Sequence, residues 1–395
     1  NKMKLTFSRS IIFASVLFCT SACSLSKSTQ VNARVRTAEI ENKSSDKTEW
    51  EVSALPGGLH NPIVVFGKKG EIVLVSGSGI HLSNDEGKTW SVIKSGKGFR
   101  NCSRDGGKTY SADCDGGRTA KLEDTDISDA TSIDVAVLTD DDRVILSTVY
   151  EHTAGVWSIP LRKTQDPWYV LDFTYKADDE QTVYGIRHDM FSLGNRVVAS
   201  AYMPPDERMI IGSDDGGKTW KPFYTEKTRE FQFIDDKTGF VLGDDIRKTT
   251  DGGASWSKVA DMPDVIQEFE KNDKEDDFSV VVSMSFADEK KGYMAGSKGF
   301  LIVTNDGGKT WERKNSGTEN DLWGVKALDG NHAWAVGSNG VVLETTDGGS
   351  SWNKIDLGFE ETNYSGLYES NLFIDKTRRT VWIIKDGNVY KKTVS

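Results

Sequence analysis

Thr304-Asn305-Asp306-Gly307-Gly308-Lys309-Thr310-Trp311 decides the reading of this chain, because close copies of it recur along the sequence. They are Ser83-Asn84-Asp85-Glu86-Gly87-Lys88-Thr89-Trp90, Ser213-Asp214-Asp215-Gly216-Gly217-Lys218-Thr219-Trp220, Thr249-Thr250-Asp251-Gly252-Gly253-Ala254-Ser255-Trp256 and Thr345-Thr346-Asp347-Gly348-Gly349-Ser350-Ser351-Trp352. A variant, Ser103-Arg104-Asp105-Gly106-Gly107-Lys108-Thr109-Tyr110, ends in tyrosine. The shared pattern is Ser/Thr-x-Asp-x-Gly-x-Thr/Ser-aromatic. Such regular self-similarity indicates a repeat architecture.

The residue types in the pattern describe a turn. An aspartate accepts backbone N–H groups one to three residues ahead and closes an Asx-type loop. The glycine two residues later admits positive φ, as a bulged hairpin needs. The Ser or Thr two residues before the aspartate can bond the same loop backbone. The aromatic then opens the next strand and turns its ring into the core. One box thus joins two antiparallel strands and anchors the second. On this reading Asp85, Asp105, Asp215, Asp251, Asp306 and Asp347 are turn staples rather than catalytic acids, with Trp90, Trp220, Trp256, Trp311 and Trp352 as their anchors. The pattern resembles the Asp-box, or bacterial neuraminidase repeat, of β-propellers.

Two stretches align without a gap at a spacing of 41 residues. Gly296-Ser297-Lys298-Gly299 leads through an apolar run to Asp306 and Trp311, and Gly337-Ser338-Asn339-Gly340 leads likewise to Asp347 and Trp352. About 40 residues make one four-stranded propeller blade. The chain is therefore expected to be all-β, a β-propeller of seven four-stranded blades near 57–95, 130–175, 180–224, 228–260, 276–315, 320–356 and 362–394. An eighth arises if 97–128 forms one. Glu49–Leu55 is expected to supply the outer strand of the last blade, which leaves no open sheet edge there. The acidic stretch Val265–Asp277 is the one place expected to be helical.

The first 22 residues read as a signal segment: Lys2, Lys4 and Arg9, an apolar run Ile11–Phe18, then Thr20-Ser21-Ala22-Cys23. The apolar run is too short to span a bilayer. The last four residues resemble a bacterial lipobox, with Thr20 where Leu is usual; the resemblance implies a lipid on Cys23. The alternative is ordinary cleavage and a soluble secreted protein. Residues 23–48, polar and rich in Ser, Thr, Asn and Lys, read as a flexible tether. An extracytoplasmic, membrane-anchored location, on the periplasmic side or the outer membrane, follows. Cys102 and Cys114 bracket the insert at 97–128, and an oxidising compartment favours a disulfide between them.

The formal charge of −11 opposes nucleic acid as a partner, since phosphate binding needs a basic footprint. His60, His81, His152, His188 and His332 show no metal-ligand spacing, and no nucleophile elbow or phosphate loop occurs. No catalytic residue, cofactor or metal is implied. Because the Asp-box also occurs in sialidases, glycan hydrolysis or glycan binding is the alternative function. Sialidases use an arginine cluster, a tyrosine nucleophile with a glutamate partner, and an Asp acid/base. The candidates here are Arg187, Arg196, Arg208 and Arg247 with Tyr184 or Tyr202.

The unit aromatic-x-x-Gly, Gly turn, apolar strand, Thr-x-Asp-Gly-Gly-x-Ser/Thr-Trp resembles the photosystem II stability and assembly factor family of lipoprotein propellers. It is clearest in Thr238–Trp256, Gly292–Trp311 and His332–Trp352. The resemblance implies a non-enzymatic chaperone that holds a protein partner, such as a membrane-protein complex, during assembly. Photosynthetic members carry an arginine-rich patch, whereas here only Arg378-Arg379 are adjacent. Trp323, Trp334 and Tyr364 lie near predicted blade edges and are the candidate partner contacts.

Overall fold

The computed structural model describes residues 50–395 except 57–58, 60–61, 77–78, 94–97, 103–120, 123–131, 151–152, 163–167, 173–185, 204–206, 225, 227, 273–280 and 360–365. Short runs rich in β-branched and aromatic residues form antiparallel meanders, each closed by tight turns. Seven sheets result: 63–93, 132–172, 186–224, 230–261, 281–313, 322–354 and 372–393, numbered here as blades 1 to 7. From blade 1 through blade 7 the first strand of one blade neighbours the first strand of the next. Blades 7 and 1 meet through Phe66 and Trp382, ring centroids 5.4 Å apart and edge-on. This is the seven-bladed propeller of the sequence reading, and no eighth blade occurs among the described residues.

The ring closes through the N-terminal strand Trp50–Ala54. It pairs antiparallel with Asn388–Thr393, Trp50 opposite Lys392 and Ala54 opposite Asn388, and so supplies the fourth strand of blade 7. Blade 2 differs from the others. Gly98–Cys102 pairs parallel with its outer strand Trp168–Asp172, and Lys121–Leu122 pairs antiparallel with Gly98–Cys102. Part of the insert, Gly98–Cys102 and Lys121–Leu122, thus adds two strands to the outer edge of blade 2. The sequence hid this because a parallel partner far downstream leaves no hairpin signal. Helix α1, Asp264–Asn272, lies between blades 4 and 5, with Ile266 fully buried and Phe269 edge-on to Phe300.

The core lies in the seams between blades. Trp220 packs with Val197, Ala199 and Ile211 of its own blade 3 and with Val137, Ile145 and Val156 of blade 2. Trp352 of blade 6 packs with Tyr293, Leu301 and Val303 of blade 5. Trp311 of blade 5 meets Phe240 and Ile246 of blade 4, and Trp256 of blade 4 meets Tyr224 of blade 3. Each of these box tryptophans therefore fills the seam with the preceding blade. The second glycine of the box lets that seam close. A Cβ on Gly349 would stand 2.9 Å from Val303 Cγ2 and 3.0 Å from Tyr293 Cε1, and its φ is +80°.

Candidate functional site

Because the strands alternate in direction, every blade presents two kinds of end. The turns between first and second strands and between third and fourth strands share one face of the disc. Turns between second and third strands, and the connections to the next blade, share the other.

The first face is taken up by turn chemistry. In all five described boxes the pattern is one. For Asp306, Thr304 Oγ1 donates to Oδ1 at 2.8 Å, Thr310 N to Oδ1 at 2.9 Å and Thr310 Oγ1 to Oδ2 at 2.6 Å, while Gly308 N donates to Thr304 Oγ1 at 3.0 Å. Asp85, Asp215, Asp251 and Asp347 repeat it. In each box the amide four residues ahead of the aspartate donates to it, beyond the expected one to three, because two consecutive positive-φ residues, glycines except for Glu86 in the first box, loop the chain out before it returns. Hydrogen bonds from the following Thr or Ser hydroxyl and amide hold Asp85, Asp251 and Asp347 at about 2. Burial pushes Asp215 and Asp306 up, yet the same donors leave both below the ordinary carboxylate range. Asp105 lies outside the described residues.

A second aspartate turn, which sequence reasoning missed, sits beside the box in blades 4 to 6 and recurs in blade 7, which has no box. Asp235, Asp288, Asp329 and Asp375 each accept the backbone N–H groups two and three residues on. The signal was present: Asp288 and Asp329 share the 41-residue spacing of the boxes. The two turns are tied together by the first box glycine, whose N–H donates to Lys237 O, Lys290 O and Asn331 O in blades 4, 5 and 6.

Cations clasp the joints on this face. Arg162 of blade 2 reaches Glu71 and Asn84 of blade 1 at 2.9 and 3.0 Å and also pairs with Asp142. Arg196 of blade 3 binds Asp214 at 2.6 Å and Gly252 O of blade 4 at 3.0 Å. Lys248 of blade 4 reaches Glu289 of blade 5, Arg379 of blade 7 reaches Asp329 of blade 6, and Arg378 of blade 7 donates to Gly70 O of blade 1. Blade 2, which lacks a box, uses Arg143: its Nε donates to Ser158 Oγ at 2.7 Å, and Ser158 Oγ donates to Gly216 O in the box of blade 3.

The opposite face carries α1 and the connecting segments 314–321, 355–359 and 366–371. At the joint of blades 3 and 4 it brings together two of the sequence candidates. Arg208 donates to Arg229 O at 2.6 Å, and Arg247 pairs with Glu226 at 2.8 Å and Asp245 at 2.8 Å. Tyr224 donates to Glu226 at 3.2 Å, and burial pushes its hydroxyl up to about 12, far from a nucleophile's range. Arg196 is on the other face, so the arginine set does not converge on one centre. Tyr184 lies outside the described residues, as do the side chains of Arg187 and Tyr202. Among the described residues no group of three or more His, Cys, Asp or Glu is placed to hold a metal ion.

Near the axis, at the joint of blades 6 and 7, Trp323 stacks on Tyr368, with centroids 4.7 Å apart and planes at 13°. Of the three aromatic candidates, Trp323 is half-buried in this stack and Tyr364 lies outside the described residues. Trp334 is wholly buried; its position on a second strand puts both faces of the ring inside a seam, which corrects the expectation of a partner contact. Tyr368, not singled out in the sequence, is 59% exposed. Cys23 and Cys114 lie outside the described residues, and of Cys102 only the backbone is described, at the end of an added strand of blade 2.

Comparison with known proteins finds sequence similarity in blades 5 and 6. Residues 264–362, which take in α1 and blades 5 and 6, match the family described as photosynthesis system II assembly factor YCF48. A segment of 87 residues is 34% identical to the photosystem II assembly lipoprotein Ycf48 of Synechococcus sp. (strain CC9902), covering 21% of this chain and 22% of that protein. Among solved structures, the GH74 xyloglucanase of Xanthomonas campestris superposes with a TM-score of 0.53 at 13% identity, over 87% of this chain and 53% of the enzyme. YCF48 bound to D1 peptide gives 0.49 at 13% identity, over 89% and 98% of the two chains. At 13% identity the likeness to the xyloglucanase is one of fold alone. The chain is an Asp-box β-propeller that resembles the photosystem II assembly factors, with its sequence match in the fifth and sixth blades.

Proposed function

We propose that this chain is a non-enzymatic scaffold that holds a protein partner during assembly, on the propeller face opposite the Asp boxes. The observation that carries the reading is the match of residues 264–362 to the assembly-factor family, together with the 34% identical segment of a protein named as an assembly lipoprotein. The division of labour between the faces supports it. One face is consumed by aspartate turns and cationic clasps, whereas the other presents connections whose length varies from blade to blade around a rigid frame.

The finer elements of the proposal rest on the sequence. A lipid on Cys23 anchors the protein outside the cytoplasm, and the tether reaches the propeller at Trp50, the end of the closing strand on the Asp-box side. Cys23→Ser should move the protein from the membrane to the soluble fraction; continued membrane retention and lipid labelling of that variant would refute the anchor. The partner reading is tested by crosslinking in the native membrane, purification and mass spectrometry. Reproducible recovery of a membrane protein is the expected result. Recovery of glycan fragments alone would overturn it.

A further inference from the structure

Three large apolar side chains are exposed among the described residues: Val52, Val92 and Tyr368. The two valines sit on outer strands at the rim. Tyr368 differs in place and in how firmly it is held. It lies just before the inner strand Leu372–Asp375 of blade 7, beside the inner strand Leu322–Ala327 of blade 6. One face of its ring is covered by Trp323. Its backbone N–H donates to Asn371 Oδ1 at 2.9 Å, and Asn371 Nδ2 donates in turn to Ile384 O at 3.0 Å. The preceding residue, Leu367, is buried and donates its N–H to Gly337 O at 2.9 Å.

Two glycines make this seat possible. A Cβ on Gly366 would lie 2.1 Å from Trp323 Cζ3, and one on Gly324 would lie 2.7 Å from Glu369 Cα. The stack is thus a rigid aromatic platform with one open face. An exposed ring ordered before binding loses little further entropy when a partner arrives, which is the property of an interface anchor.

The surroundings select the occupant. Glu369 follows the tyrosine directly, and Lys326 reaches one of its oxygens only at 3.4 Å. Asp321 and the exposed Glu319 lie in the connection that leads into Trp323, within a chain of net charge −11. A planar guanidinium satisfies a ring face and a carboxylate together, which a lysine ammonium does less well.

Resting on the protein-partner reading above, we propose that Tyr368, backed by Trp323, is the docking point for an arginine side chain of that partner, with Glu369 as its counter-charge. The test has two arms. In the first, the full chain is titrated at low salt with the peptide acetyl-Gly-Arg-Gly-Arg-Gly-amide and with its citrulline counterpart, by calorimetry. The arginine peptide is expected to bind more tightly. Tyr368→Ala should weaken it by about fivefold or more, and Tyr368→Phe should keep it. The melting temperature of both variants should stay near wild type, because the side chain is exposed. Gly366→Ala, which displaces Trp323, should weaken binding as well. Equal binding of the citrulline peptide, or wild-type affinity in Tyr368→Ala, would overturn the site.

In the second arm, a photo-crosslinking amino acid replaces Tyr368 or, on the Asp-box face, Lys309 in the cells that make the protein. An arginine-bearing contact peptide at position 368 supports the proposal. An identified partner at 309 alone overturns it and the choice of face, and leaves only the scaffold role standing. No partner at either position counts against both.

Discussion

The box aspartate is stabilised as an anion by donors that cannot be supplied from elsewhere. Thr310 gives Asp306 both its amide and its hydroxyl, and Thr304 closes the other side. Asp306→Ala leaves the buried Gly308 turn with its Thr304 hydroxyl unanchored and should cost about 1–3 kcal/mol, read as a lowered melting temperature; wild-type melting would show that the turn holds itself. The pH dependence has a fixed sign. Asp347 titrates at about 2 when folded, below its ordinary value. Between those values the unfolded chain binds more protons, so the stabilisation is complete above about pH 4 and is lost as pH falls through about 2. Melting curves of wild type and Asp347→Asn should therefore differ most near neutrality and converge toward pH 2; a gap that persists at pH 2 would assign the loss to shape rather than charge. Residue types and spacing made this chemistry legible before any fold was known. The i+4 donor was not, because it depends on how two consecutive positive-φ residues redirect the chain.

At the scale of the element, the seam between blades is where sequence and packing meet. Gly349 and Gly358 both hold positive φ, +80° and +75°, but only Gly349 has a neighbouring blade against it; nothing lies within 4 Å of a Cβ on Gly358. Gly358→Ala should therefore show backbone strain alone, about 1 kcal/mol, whereas Gly349→Ala adds a clash with Val303 and Tyr293 and should cost about 2–4 kcal/mol. Equal effects in the two variants, measured by denaturant unfolding, would mean that the seam yields easily. Blades 5 and 6 were readable because a 41-residue repeat carries both the Gly turn and the box. Blade 2 was harder, since Arg143 and Ser158 do there by side-chain hydrogen bonds what a box does elsewhere. The turns at Asp235, Asp288, Asp329 and Asp375 went unread because one aspartate among many charged residues carries no aromatic or double glycine to mark it.

For the whole molecule, the decisive event is closure of the ring by a strand from the other end of the sequence. The stretch Glu49–Leu55, with Trp50 and Val52, made this legible. What no pattern revealed was how closure is reinforced. Trp50 stands opposite Lys392, and Lys392 donates to both carboxylate oxygens of Glu344 in blade 6 at 2.7 and 3.0 Å, in a largely buried pair. Trp50 itself is buried with Val336, Val381 and Val394. Removing the strand would expose that ion pair to water, uncover apolar surface in the blade 6–7 seam and leave Asn388–Thr393 as a bare edge ready to pair with another chain. A chain starting at residue 55 should therefore melt several degrees lower than one starting at residue 49, by about 2–4 °C for each kcal/mol lost. It should also self-associate with rising concentration in sedimentation experiments. If both chains melt together and stay monomeric, closure is carried by the inner strands and the blade 7–1 contacts of Arg378 and Trp382 alone; a lower melting temperature without association would mean that the exposed edge is protected by Lys391 and Lys392, which lie on it.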